Sequence, residues 1–367
     1  MSAPDRSSTG VRFAGGLLPA AALCLGAALA GCAPSGEALR GELSSGARSG
    51  RCIPLQFVKQ KPERCGSAAL AEVLGFWAAP ECSEERLAAE TYSPELGGAR
   101  NTDLAAAARR RGLVVRSGPS DLGELRRAVG DGYPAVVLIT LSPHLLGRKH
   151  YLAVKGVDAG EGWLLADYGF RPDMVLRPGP FSSDWRSAGC WALYCWPPTE
   201  APEWSTALED LRAGLLLEAA GDSAAAGDAY RRAAGKDPRL WEAPFNLGNL
   251  ELARKRFEPA LAAYRRALEV RPDEPDIMNN LAWTLQEFRQ EPEEAESLAR
   301  RALKMSPPAS ASAARAAHTL GEVLAWRGRV AEAREAFLRA IREAGAAGDQ
   351  TTAAEARAAL EKLPAAR

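Results

Sequence analysis

The chain has 367 residues, enough for two domains that each bury a core of their own. Lys plus Arg and Asp plus Glu number 46 each, so the formal net charge is zero; there is neither the basic stripe of a nucleic-acid binder nor an acidic solvating tail. Ala and Arg are concentrated in the C-terminal half, where they suit solvated helices with small residues at tight crossings.

Arg6 and Arg12 precede an apolar run from Phe13 to Ala30, which closes as Leu29-Ala30-Gly31-Cys32. A basic start, a short apolar stretch and small residues before a cleavage point make a secretory signal. The run is rich in Gly and Ala and holds Pro19, so it makes a poor permanent membrane helix. The Leu-Ala-Gly-Cys ending resembles the bacterial lipobox. That resemblance implies that residues 1–31 are removed and that Cys32 carries lipid, giving an exported lipoprotein on the periplasmic face of the envelope. Ala33 stands where an Asp would favour the inner membrane, which tilts the expectation to the outer one. Residues 32–50, rich in Gly, Ser and Ala, read as a flexible tether. Past Cys24 and Cys32 the cysteines are Cys52, Cys65, Cys82, Cys190 and Cys195. An odd count in an oxidising compartment suggests disulfides plus one free thiol. With Cys65 free, the other four allow three pairings, and the sequence does not choose among them.

Residues 51–197 mix helical and strand patterns. Helices are expected over Cys65–Trp77, Glu84–Thr91, Thr102–Arg111 (capped by Asn101 or Thr102) and Ser120–Val129 (capped by Ser120). Strands follow at Tyr133–Leu141, His150–Val157, Gly162–Tyr168 and Cys190–Trp196, with a hairpin turn at Gly160-Glu161-Gly162. Helices first and an antiparallel sheet after them indicate an α+β domain.

Residues 198–204 belong to a Pro-rich, stiff linker, and from residue 205 to 363 the pattern is helical and repeating. Pro238, Pro272 and Pro307 fall 34 and 35 residues apart. Leu247-Gly248 is followed by Ala260, Tyr264, Ala267 and Pro272. The unit before it has Gly214, Ala226, Tyr230, Ala233 and Pro238; the unit after it has Leu281-Ala282, Ala295, Ala299, Ala302 and Pro307. A fourth has Leu320-Gly321, Ala333, Phe337 and Ala340, after a short insertion near Pro308. Period and residue types resemble the tetratricopeptide repeat. The resemblance implies an all-α solenoid that holds a protein partner or substrate in a concave groove.

The stretch that carries chemistry is Gln60-Lys61-Pro62-Glu63-Arg64-Cys65-Gly66-Ser67-Ala68-Ala69-Leu70. A cysteine opening a helix has its thiolate stabilised by free N–H groups and the positive dipole end. Gly66 permits close backbone approach, and a Gln just upstream can offer an N–H to an oxyanion beside the Cys65 N–H. A base is expected from His150 at the head of an apolar strand. Asp167, 17 residues on, is placed near it by the hairpin and fixes the imidazole tautomer. His144 reads as loop, His318 as packing within the repeats, and Asp158 as the competing carboxylate. These residues look like those of the C39 peptidase family, which has a papain-like fold. The resemblance spans about residues 53–195 and, with the lipobox and repeats, extends to a group of C39-like lipoproteins. It implies Gln60 as oxyanion donor, Cys65 as nucleophile, His150 as base and Asp167 as orienting acid. Two positions depart from the family: Ser67 stands where Pro or Val is common, and Tyr168 where Pro usually follows the Asp. No metal or phosphate-loop motif is present, so no cofactor or metal is expected. The expected function is a membrane-anchored cysteine peptidase acting on a protein or peptide. An inactive scaffold and an acyl-transfer enzyme of the same type are the alternatives.

Overall fold

The computed structural model describes residues 33–141 and 148–364. The signal segment, Cys32 and His144 lie outside the described residues. Ser35 caps helix α1 (Gly36–Ser45), its hydroxyl accepting from the Ala38 N–H, and Gly46 ends it with φ of 75°. Strand β1 (Gly50–Cys52) follows. The stretch read as a flexible tether is therefore structured from Ser35 onward. Its small-residue composition hid Leu39 and Leu43, which lie four apart on one helix face and are buried against Leu165.

Next come α2 (Cys65–Phe76) and α3 (Glu84–Thr91), the short hairpin β2 (Tyr92–Ser93) and β3 (Gly98–Ala99), and α4 (Asn101–Arg110). Strand β4 (Val114–Pro119) leads to α5 (Leu122–Asp131) and β5 (Ala135–Thr140), followed by β6 (Lys149–Asp158), β7 (Leu164–Tyr168) and β8 (Arg171–Leu176). Helix α6 (Pro178–Ser187) and strand β9 (Trp191–Trp196) complete this part. Asp121, not Ser120, caps α5, accepting from the Glu124 N–H; the Ser120 hydroxyl pairs with Tyr194 and Glu124 instead. Strands β4 and β8 and helix α6 lacked a legible pattern: β4 and β8 lie at the sheet edges, where alternation is weak.

The strands form an antiparallel sheet in the order β4-β9-β5-β6-β7-β8, and β1 continues the β5 side of β6 beyond Val154. One face (Val136, Leu138, Tyr151, Ala153, Leu193) packs on Leu70 and Leu74 of α2 and Leu104 of α4. The other (Val137, Ile139, Leu152, Val154, Ala192) packs on Leu125 and Val129 of α5 and Phe181 and Trp185 of α6. Burial on both sides is why β5 reads as an unbroken apolar run.

The stretch expected to be a stiff linker is part of the packing. Trp204 sits edge-on to Tyr133 at 5.3 Å and to Trp196 at 5.2 Å, and the Arg116 guanidinium lies over its ring at 4.9 Å. Arg116 also bonds Glu124 and, past the linker, Glu209. Helices then run in pairs: α7 (Ala207–Ala219) and α8 (Ser223–Lys236), α9 (Glu242–Ala253) and α10 (Phe257–Val270), α11 (Pro275–Glu287) and α12 (Pro292–Met305), α13 (Ala311–Trp326) and α14 (Val330–Ala347), closed by α15 (Gln350–Lys362).

One contact explains the repeat pattern. A Cβ on Gly214 would sit 2.4 Å from the Tyr230 ring, on Gly248 2.6 Å from Tyr264, and on Gly321 2.6 Å from Phe337. Each glycine lets the aromatic sixteen residues later lie flat on the backbone of the preceding helix. In the third unit the same two positions read Ala282 and Leu298, a larger small residue facing a smaller large one. Among the described residues no helix is long and apolar enough to cross a membrane.

Candidate active site

A cleft of about 1220 Å³ opens at the end of the sheet where β5 stops, β6 begins and β7 stops. Gln60, Cys65 and His150 all line it, with the β2–β3 turn (Leu96 to Ala99) on one side and Tyr168 and Phe170 on another. Cys65 is the first residue of α2, whose N-cap, Arg64, makes no side-chain capping bond. The first-turn N–H groups therefore face the thiol and the cleft without a capping side chain. Gly66 sits in a tight space: a Cβ there would meet Ala99 at 3.0 Å and the Tyr151 ring at 3.1 Å. Burial pushes the Cys65 thiol up, while backbone hydrogen bonds from Tyr151, Gly66 and its own N–H pull it part of the way back.

His150 is buried, and its ring stacks on Tyr168 with centroids 4.4 Å apart. Burial, and then the Arg148 charge, push the imidazole down to about 4, so it is neutral near pH 7. Its Nε2 has no hydrogen-bond partner. Cys65 and His150 thus share a cleft, but no hydrogen bond joins them among the described residues. Gln60 is held by its backbone N–H on the Gly169 carbonyl at 3.1 Å. Gly169 has φ of 49°, and a Cβ there would run into the Gln60 amide at 2.4 Å. The pairing of Gln60 with Gly169 was not legible in the sequence.

Asp167 does not orient His150. In the sheet register Asp167 stands opposite Ala153, on the α2 side, whereas His150 stands opposite Ile139, on the α5 side. Neighbouring strand positions alternate faces, so the two side chains leave the sheet in opposite directions. Asp167 instead receives two bonds from Lys155 Nζ, at 2.5 and 2.7 Å, and the Asp173 N–H at 2.9 Å. Lys155 also pairs with Asp173 at 2.9 Å, and Asp173 with Arg40 of α1 at 3.1 Å. Burial, and then the Asp167 charge, hold the Glu72 carboxyl far above the usual range, and its Oε1 accepts the Val58 N–H. This buried cluster of three carboxylates and a lysine was missed because its members are scattered over four elements, α2, β6, β7 and β8.

The two departures from the family pattern have local reasons. Ser67 Oγ donates to the buried Glu84 Oε1 at 3.1 Å and so ties α2 to α3. Tyr168 supplies the face on which His150 rests. The expected disulfides among Cys52, Cys82, Cys190 and Cys195 are not formed: all the described cysteines are free. Cys190 stands just before β9, and the buried Cys195 lies within that strand opposite Val115.

Two matches to the tetratricopeptide repeat cover residues 243–307 and 280–349. The C-terminal part of the chain is thus a tetratricopeptide-repeat region, an architecture whose concave surface serves protein–protein interaction. None of the curated proteins compared with the chain matches it. Solved structures similar to it include PilW, a type IV pilus biogenesis factor (20% identity, 43% of this chain and 79% of that one, TM-score 0.34). MamA is similar at 20% identity, over 41% of this chain and 91% of that one, with TM-score 0.32. PilF of Pseudomonas aeruginosa is similar at 19% identity, over 44% and 77%, with TM-score 0.34.

Proposed function

We propose that residues 51–197 form a papain-like thiol hydrolase of C39 type, anchored to a membrane by lipid on Cys32, with the repeats holding its protein partner or substrate. One observation carries this reading: Gln60, the helix-opening Cys65 and a neutral His150 line a single open cleft. In the reaction the Cys65 thiol loses its proton to His150 and its sulfur attacks a peptide or amide carbonyl. The Cys65 N–H and the Gln60 amide receive the oxyanion. His150 then gives the proton to the departing amine, and water releases the acyl group. Asp167 has no part in these steps; Tyr168 holds the imidazole by stacking. The test is thiol labelling with iodoacetamide, located by mass spectrometry. Labelling at Cys65, with hydrolysis of a protein substrate lost in Cys65→Ala and in His150→Ala, supports the reading. Unchanged hydrolysis in both variants overturns it.

A scaffold reading is favoured by two observations: no hydrogen bond joins Cys65 to His150, and Asp167 is committed elsewhere. It predicts that the full chain captures a partner through the repeats and hydrolyses nothing. Acyl transfer rather than hydrolysis is recognised by product: an added amine acceptor appears in the released peptide.

A further inference from the structure

The glutamates of the repeats are mostly held by arginines: Glu251 by Arg254 and Arg256, Glu294 by Arg265, and Glu296 by Arg300, Arg327 and Arg329. Among the described residues eight glutamates of the repeats break that habit, and three of the eight recur at the repeat period. Among the described residues no Lys or Arg pairs with Glu287, Glu322 or Glu355, and Glu322 faces His318 Nε2 at 3.8 Å and the Trp283 side chain. The three fall 35 and 33 residues apart, the period of the repeats. Glu322 and Glu355 line a groove of about 1060 Å³ formed by α11, α13 and α15. Burial raises the Glu322 carboxyl, the His318 charge opposes this, and the charges of Glu287 and Glu355 each raise it further. Of the groove's own cations, Arg315 is turned to Asp276 at 3.0 Å and Arg289 lies over the Trp326 ring at 5.5 Å, while Lys362 stands in the last turn of α15.

An independent observation concerns a hydrogen-bond chain. Tyr264 Oη donates to Asn249 Oδ1 at 2.7 Å, and Asn280 Nδ2 donates to the same oxygen at 2.9 Å. Asn279 Nδ2 donates to Asn280 Oδ1 at 3.2 Å. In this arrangement every bond of the run sets a donor against an acceptor. The chain therefore ends on Asn279 Oδ1, which lines the groove, belongs to a side chain 6% exposed and has no partner. A buried acceptor left open costs about 1–3 kcal/mol, so a ligand that supplies an N–H there is favoured.

We propose that this groove docks an extended, basic segment of a protein partner, with its Lys or Arg side chains among Glu287, Glu322 and Glu355 and one N–H on Asn279. This deepens, and rests on, the reading that the repeats bind a protein partner. Packed helices lie about 8–10 Å apart, which three residues of a polyproline II segment (about 3.1 Å each, three per turn) span with their side chains on one side, so the cations recur every third residue. The experiment uses the full chain in detergent and fluorescence polarisation of three peptides of equal length, with Lys, Gln or Glu at every third position, plus spermine as a competitor. The Lys peptide binds tightest and weakens with added salt. Replacing all three glutamates by Gln lowers its affinity at least tenfold, and Asn279→Ala lowers it about three- to tenfold, with far-UV circular dichroism unchanged. Glu355→Lys, at an exposed site, gives the same direction should the triple variant misfold. Equal binding of the Gln or Glu peptide, binding of none, full affinity in the Glu variants, or displacement by spermine below the peptide's own concentration overturns the proposal. Capture of a partner by the triple Gln variant leaves the broader partner-binding reading standing while this one falls.

Discussion

The glycine–aromatic contact in the repeats makes a quantitative demand on the sequence. Gly321→Ala places a methyl 2.6 Å from two carbons of the Phe337 ring and 2.9 Å from a third, and Phe337 is 1% exposed, so it has little room to withdraw. Overpacking of this kind costs about 1–3 kcal/mol, partly offset by about 1 kcal/mol of better helix propensity, for a net loss of ~0–2 kcal/mol. Phe337→Leu alone leaves a partial cavity and costs about 1–2 kcal/mol. In the double variant the new methyl occupies space that the ring has left. The double loss then falls short of the sum of the singles by roughly 1–2 kcal/mol, since residues in contact do not add. The chain itself carries this combination at Ala282 and Leu298. Urea unfolding followed by far-UV circular dichroism on the four proteins measures the cycle. Additivity within about 0.4 kcal/mol refutes the claim that glycine and aromatic form one packing unit.

The remaining predictions concern the α+β part. Because burial raises the Cys65 thiol and lowers His150 to about 4, the resting pair is uncharged near pH 7. Thiolate increases as pH rises, so iodoacetamide labelling of Cys65 climbs steadily from pH 6 to 9; a plateau between pH 5 and 8, the mark of a thiolate–imidazolium pair, contradicts this. Lys155→Met leaves Asp167 and Asp173 buried without their shared cation and costs about 3–5 kcal/mol by urea unfolding, and a loss below 1 kcal/mol rules out the buried pair. Glu72 has its folded pKa raised, so its contribution is full below the ordinary value of 4.5 and is lost as pH rises toward the folded value. Glu72→Gln therefore flattens the pH dependence of stability above that point by up to ~1.4 kcal/mol per pH unit, and an unchanged slope counts against a neutral Glu72.

Much was legible from spacing alone. Helices at Cys65, Glu84 and the region of residues 101–111, the runs that became β5, β6 and β7, and the repeat units each carry their signal within a short window. Such signals arise from one element meeting its own neighbours. Local pattern could also be misleading, as in the Gly- and Ser-rich stretch where only Leu39 and Leu43 marked α1. Gln60, Cys65 and His150, which line one cleft, were singled out by residue types at a helix start and a strand head. Asp167 was misassigned because a hairpin brings two strand ends together without saying which face each side chain takes.

By itself, then, the sequence determined the order of helices and strands, the repeat period, the Gly–aromatic alternation within the repeats, and the polar residues Gln60, Cys65 and His150 that line the cleft. Only the tertiary structure decided that Asp167 belongs to Lys155 and not to His150, that Trp204 packs into an aromatic cluster, and that Gly169 holds Gln60. It also decided which glutamates of the repeats find arginines. Each of these depends on strand register or on residues tens of positions apart. A shift of one residue in register exchanges the two faces of the sheet, and no local pattern in the chain encodes that choice.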